Sequence, residues 1–244
     1  MREIVLDTET TGFEPSEGHR IVEIGAVELL NQLPTGRTYH QYVNPERGMP
    51  RDAFDVHGLG HDILETPGKA APGGVTLRDK PVFARIGQAF LDFIGDAQLV
   101  IHNAAFDMKF LNFELQRVGL PVLPNGRATD TLVIARQKYP GSPASLDALC
   151  RRFGIDNSMR EKHGALLDSE ILAEVYLELI GGRQPDLVLA SVAPALARGL
   201  SGDTAWRPRP RNTPLAPRIT PEERAAHEAM VAKLGDAAIW KKQA

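Results

Sequence analysis

The stretch from Glu3 to Val43 constrains the fold more than any other part of the chain. Three short apolar segments, Glu3–Thr8, Arg20–Leu30 and Arg37–Val43, follow one another with short connections. The second and third are separated by a turn over Asn31–Gly36 that carries Pro34 and Gly36. Short apolar runs bounded by turn residues are strand signals, and strands joined this closely form an antiparallel meander. Beyond them the period changes. Phe83, Ile86, Phe90, Phe93 and Ile94 recur at helical spacing, and Gln98–His102 is a fourth apolar strand. Phe106, Phe110, Phe113 and Leu115 belong to a helix ending before Gly119. A fifth strand fits around Arg127–Asp130, Ser145 caps a short helix that stops before Gly154, and Ala165–Ile180 is an apolar helix closed by Gly181-Gly182. A meander followed by alternating helices and strands predicts an α/β fold, a mixed five-stranded sheet with helices on its faces. Leu64–Asp79 has no period and is read as a surface loop.

Proline sets the limit of that domain. Seven of the 18 prolines fall between Pro185 and Pro221, and Arg207–Arg218 reads RPRPRNTPLAPR, with no acid. Such a segment buries too little apolar surface to offset its ordering entropy and is expected to be an extended linker. The organisation expected is therefore a domain over 1–182, a flexible Pro/Arg-rich linker over 183–219 and a terminal segment over 220–244. The last contains one more helix: Thr220-Pro221-Glu222-Glu223 has the form of a capping box, and Gly235 is a stop after Leu234. The helix is short and Ala-rich, with Ile239 and Trp240 just beyond it, which predicts docking onto a partner. From Asp203 onward eight basic and five acidic residues give +3, leaving −6 for residues 1–202. The compact part is acidic, so it is not a nucleic-acid coat protein.

The N-terminus, Met1-Arg2-Glu3 followed by a short apolar run that ends at Asp7, has no signal-peptide form. The uncharged run Leu187–Ala197 has eleven residues and contains Pro194, too short for a bilayer. The expectation is a cytoplasmic chain with no membrane contact. Cys150, the single cysteine, excludes an intrachain disulfide and a Cys-rich zinc site, and lies in the apolar Leu146–Phe153 helix as core.

The chemistry lies in the acids. Asp7 and Glu9, in DTETTG at the end of the first strand, are two residues apart and so share one face. Like charges so close resist joint ionisation unless a cation sits between them. Asp107 closes HNAAFD and falls in the first turn after the fourth strand, where open sheets place ligands. His163 and Asp168, in HGALLD, are five residues apart and cannot share a helix face. His163 therefore belongs to the loop before the helix, and Asp168 to its early turns, among apolar residues that make a partner necessary. A loop histidine suits a general base. Singly, each group also fits a plainer description: a polar strand end, an acid favouring the helix dipole, an exposed histidine. His102 and Asn103 are read as shaping their loop.

Together, DTETTG, HNAAFD and HGALLD resemble the DEDD superfamily of 3′→5′ exonucleases, which implies an RNase H-like fold. The His variant applies, because the position where the sister variant has Tyr is Gly164 here. VLDTETTG, HRIVEIGAVEL, DVHGL, SLDALCRRFGID and HGALLDSEILAEVYL look like the epsilon, proofreading, subunit family of bacterial DNA polymerase III over about residues 1–182, and TPEERAAHEA looks like that family's polymerase-binding tail. The resemblance implies a bacterial cytoplasmic enzyme acting on DNA 3′ ends. Asp7, Glu9, Asp107 and Asp168 would hold two divalent cations, Mg²⁺ or Mn²⁺ by their oxygen-only character, and His163 would take the proton of the attacking water. Asp7, Glu9, Asp168, Asp52 and His57 map onto substrate contacts, although the family usually has Glu where Asp52 stands. Gln184, Leu187 and Leu189 resemble the sliding-clamp peptide. Ile239 and Trp240 fall in the segment that would meet the polymerase alpha subunit, and a small theta-like subunit on the nuclease domain is left open. Two other readings remain: a ribonuclease of the same superfamily acting on RNA 3′ ends, and a non-catalytic replisome adaptor.

Overall fold

The computed structural model describes residues 1–64, 74–159, 162–181 and 219–235. The chain divides into two compact units, Met1–Leu187 and Val188–Ala244. In the first, five strands form one sheet: β1 (Arg2–Thr10), β2 (Ile21–Leu30), β3 (Leu33–Tyr42), β4 (Gln98–Ile101) and β5 (Ala128–Asp130), in the order β3-β2-β1-β4-β5. β1 to β3 are the antiparallel meander, while β4 runs parallel to β1 and β5 parallel to β4. The helices of this unit are α1 (Arg51–His57), α2 (Phe83–Ile94), α3 (Ala104–Arg117), α4 (Thr131–Lys138), α5 (Leu146–Phe153) and α6 (Ala165–Leu179). The mixed five-stranded sheet and its flanking helices are as the sequence predicts. No helix among the described residues is long and apolar enough to cross a membrane.

Two apolar layers sandwich the sheet. Ile4 and Leu6 of β1 pack with Phe83 and Phe90 of α2 and Phe110 and Leu111 of α3. Val5, pointing the other way, packs with Leu172, Ala173 and Tyr176 of α6. At about 1.5–3 kcal/mol for each fully buried large side chain, these layers supply the main driving force for the domain. Cys150 is fully buried, in the core beside Val175 and Leu179.

Three local features of the structure go beyond or against what the sequence predicts. The turn between β2 and β3 needs only Asn31 and Gln32, at φ 51° and 68°, so Pro34 lies on β3. A proline is tolerated there because β3 is an edge strand, where a missing N–H removes no central ladder bond. The helices α1 and α4 carry no clear helical period; α4 is instead announced by Asp130, whose carboxylate accepts the N–H groups of Leu132 and Val133. The segment read as a surface loop over Leu64–Asp79 has its middle outside the described residues, but Leu77 is fully buried with Met49, Phe54 and Leu59.

In the second unit the described residues form α7 (Pro221–Leu234). Its capping box closes in both directions: Thr220 Oγ1 accepts from the Glu223 N–H at 3.2 Å and Glu223 Oε2 from the Thr220 N–H at 2.9 Å. It buries no side chain.

Candidate active site

The alternation of β1 distributes the acids. Glu3, Val5, Asp7 and Glu9 face α6, whereas Ile4, Leu6 and Thr8 face α2 and α3. Thr8, between the two acids in sequence, therefore points away from them and donates from Oγ1 to Asp107 Oδ1 at 2.7 Å. Asp107 comes from the first turn of α3, just past the end of β4, where Asn103 at φ 66° makes the strand-to-helix corner. Asp107 is only 3% exposed. Burial pushes its carboxyl up to about 7, against the Thr8 hydroxyl, which favours the charged form.

Asp168 arrives by a close approach of α6 to β2. Gly25 pairs with Asp7 in the β1–β2 register. A Cβ on Gly25 would stand 2.1 Å from the carbonyl carbon of Ala165, so only glycine admits the helix here. Ser169 Oγ donates to the Gly25 carbonyl at 2.9 Å. The helix has no capping side chain of its own at Gly164. Glu23, buried on β2, substitutes: its Oε2 accepts the Ala165 N–H at 3.1 Å while Oε1 lies 2.6 Å from His40 Nε2. A carboxylate at a helix N-terminus is favoured by both the unpaired N–H groups and the dipole.

His163 sits in the loop before α6, exposed, with its N–H on the Val56 carbonyl at 3.3 Å. Its Nδ1 is 3.4 Å from Asp168 Oδ2. Donor atoms of Glu9, His163 and Asp168 all lie within 4.8 Å of one another. These three, Asp7 and Asp107 line one cleft of about 780 Å³, together with Phe13, His102, Asn103, Arg136 and Asp147. Its lining holds five carboxylates and one guanidinium among the described residues. A set of oxygen donors on rigid elements, with such an excess of negative charge, suits hard divalent cations, so the residues fit the metal ions that the fold family implies.

The structure thus brings Asp7, Glu9, Asp107, His163 and Asp168 together. Asp52 and His57 lie outside that lining, on α1. Asp52 is exposed in its first turn; His57 is buried at its end, with Nδ1 accepting the Leu59 N–H at 3.0 Å. Burial pushes His57 down to about 4, opposed in part by the Thr10 backbone. His102 Nδ1 lies 2.9 Å from Thr131 Oγ1 and its ring is also lowered by burial. Gln184, Leu187, Leu189, Ile239 and Trp240 are outside the described residues. Thr8, Gly25, Glu23, Phe13 and Arg136 were not singled out from sequence. A polar residue between two same-face acids, and a Glu and a Gly inside the apolar run RIVEIGAVEL, were the available signals for the first three.

The family model described as Exonuclease matches residues 4–71 and 73–176. The DNA polymerase III subunit epsilon of Rickettsia felis is 54% identical over 187 residues, covering 75% of this chain and 76% of that protein. Its counterpart of the same name in Escherichia coli (strain K12) is 40% identical over 259 aligned positions, covering 98% of this chain and 97% of that protein. Among solved structures, the nuclease domain of 3′hExo, a DEDDh family member bound to rAMP, has a TM-score of 0.59 at 21% identity, over 73% of this chain and 91% of that one. That likeness carries the fold alone. With the sheet, the acid-lined cleft and relatives matched over most of their length, this chain belongs to the exonuclease family and, within it, to the epsilon subunits of DNA polymerase III.

Proposed function

We propose that this chain is the 3′→5′ proofreading exonuclease of a DNA polymerase III, removing mispaired 3′-terminal nucleotides as nucleoside 5′-monophosphates. The observation that carries the reading is the convergence of Asp7, Glu9, Asp107, Asp168 and His163 on one cleft. The four carboxylates would hold two divalent cations, Mg²⁺ or Mn²⁺, whose chemistry is to neutralise phosphodiester charge and make bound water more acidic. The side chains do the rest. The Asp168 carboxylate beside Nδ1 favours the ring tautomer protonated there, which makes Nε2 the basic atom of His163. That nitrogen takes a proton from the attacking water as the new P–O bond forms and the P–O3′ bond breaks; the departing oxygen is protonated from solvent. Thr8 holds Asp107 in place, and Glu23 with Gly25 fixes the start of α6, so Asp168 and His163 are presented from a rigid base.

The acid-rich lining makes few direct contacts to phosphate, so intrinsic DNA affinity is low, and tethering to the polymerase would compensate by raising local concentration. In this reading residues 1–182 are the nuclease, 183–219 the linker carrying the clamp peptide at Gln184, Leu187 and Leu189, and 220–244 the segment that meets the polymerase alpha subunit through Ile239 and Trp240. The similarity of the E. coli relative across 98% of this chain supports a tail of the same kind. A theta-like subunit on the nuclease domain would be a further partner.

The test is release of 5′-mononucleotides from a 3′-mispaired primer on DNA and, in parallel, on RNA. Activity requiring added Mg²⁺ or Mn²⁺, lost in Asp7→Ala and greater on DNA, is the expected result. Preference for RNA would move the chain to the ribonuclease reading, and no release from either strand would leave only the adaptor. Ile239→Ala with Trp240→Ala should abolish co-purification with the polymerase subunit.

A further inference from the structure

We infer that Arg136 binds a backbone phosphate of the substrate strand on the 5′ side of the scissile linkage, a role that rests on the exonuclease reading above. Arg136 is in α4, which follows β5, two strands from β1 in the sheet order, and it lines the cleft together with Leu132 and the Ser142–Asp147 segment. It is the only lysine or arginine among the cleft's described lining residues. Several other arginines of the domain are committed. Arg20 forks onto Glu114 at 2.6 and 2.9 Å, Arg2 and Arg37 share Glu28, and Arg127 Nε donates to the Ala97 carbonyl at 2.9 Å. Among the described residues the Arg136 guanidinium has no hydrogen-bond or ion-pair partner. Its charge is felt at His102, another lining residue, where it adds to burial in lowering the ring.

A planar guanidinium with five donors is matched to a phosphate oxygen pair. The chemistry of the substrate says which phosphate. A 3′-terminal nucleotide ends in a hydroxyl, so its single phosphate is the scissile one. Every other phosphate of the strand lies upstream. The scissile phosphate belongs with the carboxylates of β1, α3 and α6 and with His163. A cation carried by α4, beyond β5, is then left for the next linkage, where it would hold the strand in register after each nucleotide departs.

The experiment compares two substrates on the full-length protein: a single-stranded DNA oligonucleotide, and the p-nitrophenyl ester of thymidine 5′-monophosphate, which has one phosphodiester and no upstream phosphate. Arg136→Ala should raise KM for the oligonucleotide roughly tenfold to a hundredfold, the worth of one charge-assisted contact. The slope of log KM against log salt should fall by about 0.7, as for one lost phosphate contact on a single strand. The loss of kcat/KM on the ester should be a small fraction of that on DNA. Arg136→Lys should restore part of the affinity, because charge returns without the fork. A methylphosphonate at the linkage next to the scissile one should weaken the unaltered protein to the level of Arg136→Ala and weaken the variant no further. Equal losses on ester and oligonucleotide would place Arg136 at the scissile phosphate and overturn the inference, as would an unchanged KM on DNA. If the unaltered protein released nothing from either substrate, the exonuclease reading itself would fall, a result distinct from any behaviour of the variant.

Discussion

α6 and α7 are almost the same length, 15 and 14 residues, and each begins at a recognisable boundary. By local criteria α7 is the better helix. It has a closed capping box, proline in its first turn and acids where the dipole favours them, whereas α6 has no side-chain cap. Yet α6 buries nine of its residues and α7 buries none. The difference teaches that capping marks where a helix starts, while burial decides whether it can hold a catalytic group still. α6 obtains its missing cap from Glu23 on another element, and that borrowed contact fixes Asp168 relative to β1. A helix held by its own cap alone has no buried face to add to that stability.

The largest effects should come from α6 and the acids it meets. Asp168→Ala, like Asp7→Ala, Glu9→Ala or Asp107→Ala, should nearly abolish mononucleotide release, and His163→Ala should lower turnover by about 10²–10⁴. In metal-free buffer the four carboxylate variants should melt at or above the temperature of the unaltered protein, since each relieves charge crowding. Turnover at the unaltered rate in saturating Mg²⁺ would remove that residue from the site.

Next is the contact that seats α6. Gly25→Ala sets a methyl group against the Ala165 backbone, which cannot swing aside as a side chain could. A loss of about 3 kcal/mol or more is expected from such overpacking. An unchanged melting temperature would show that the helix rests on β2 less tightly than the geometry states.

His57 provides a pH test. Its buried ring titrates near 4 rather than 6.5, so between these values the unfolded chain binds a proton that the folded chain does not. Stability is full above about pH 6.5 and falls as pH drops toward 4, by up to about 3 kcal/mol. His57→Gln should flatten that part of the melting curve plotted against pH. A slope as steep in the variant would assign the effect to other groups.

The smallest effect belongs to α7. Thr220→Ala removes one half of the capping box and should cost about 1 kcal/mol of helix stability, seen as lost helicity by circular dichroism. Nuclease turnover on single-stranded DNA should not change. A drop in turnover would join the two helices functionally and end the contrast between them.

Much of the site was legible from the chain. Asp7 and Glu9 share a face because strands alternate, and no tertiary contact is needed to know it. His163 before the helix and Asp168 within it follow from the angle between residues five apart. The boundaries of α7 were legible because its cap uses residues three apart. Pro34 on an edge strand was not legible, because edge or centre is a property of the sheet. Neither was Leu77, whose burial depends on Met49, Phe54 and Leu59.

By itself, then, the sequence determined the strand-then-alternation order, the position of each acid on its own element and the self-capped helix near its end. These rest on interactions within a few residues, which the local pattern specifies. Only the tertiary structure decided that Thr8 orients Asp107, that Gly25 lets α6 approach β2, that Glu23 caps a helix 142 positions away, and that Arg136 alone among the described lysines and arginines lines the acidic cleft. Those depend on which elements become neighbours, and that is set by the summed burial of two apolar layers rather than by any one of these residues.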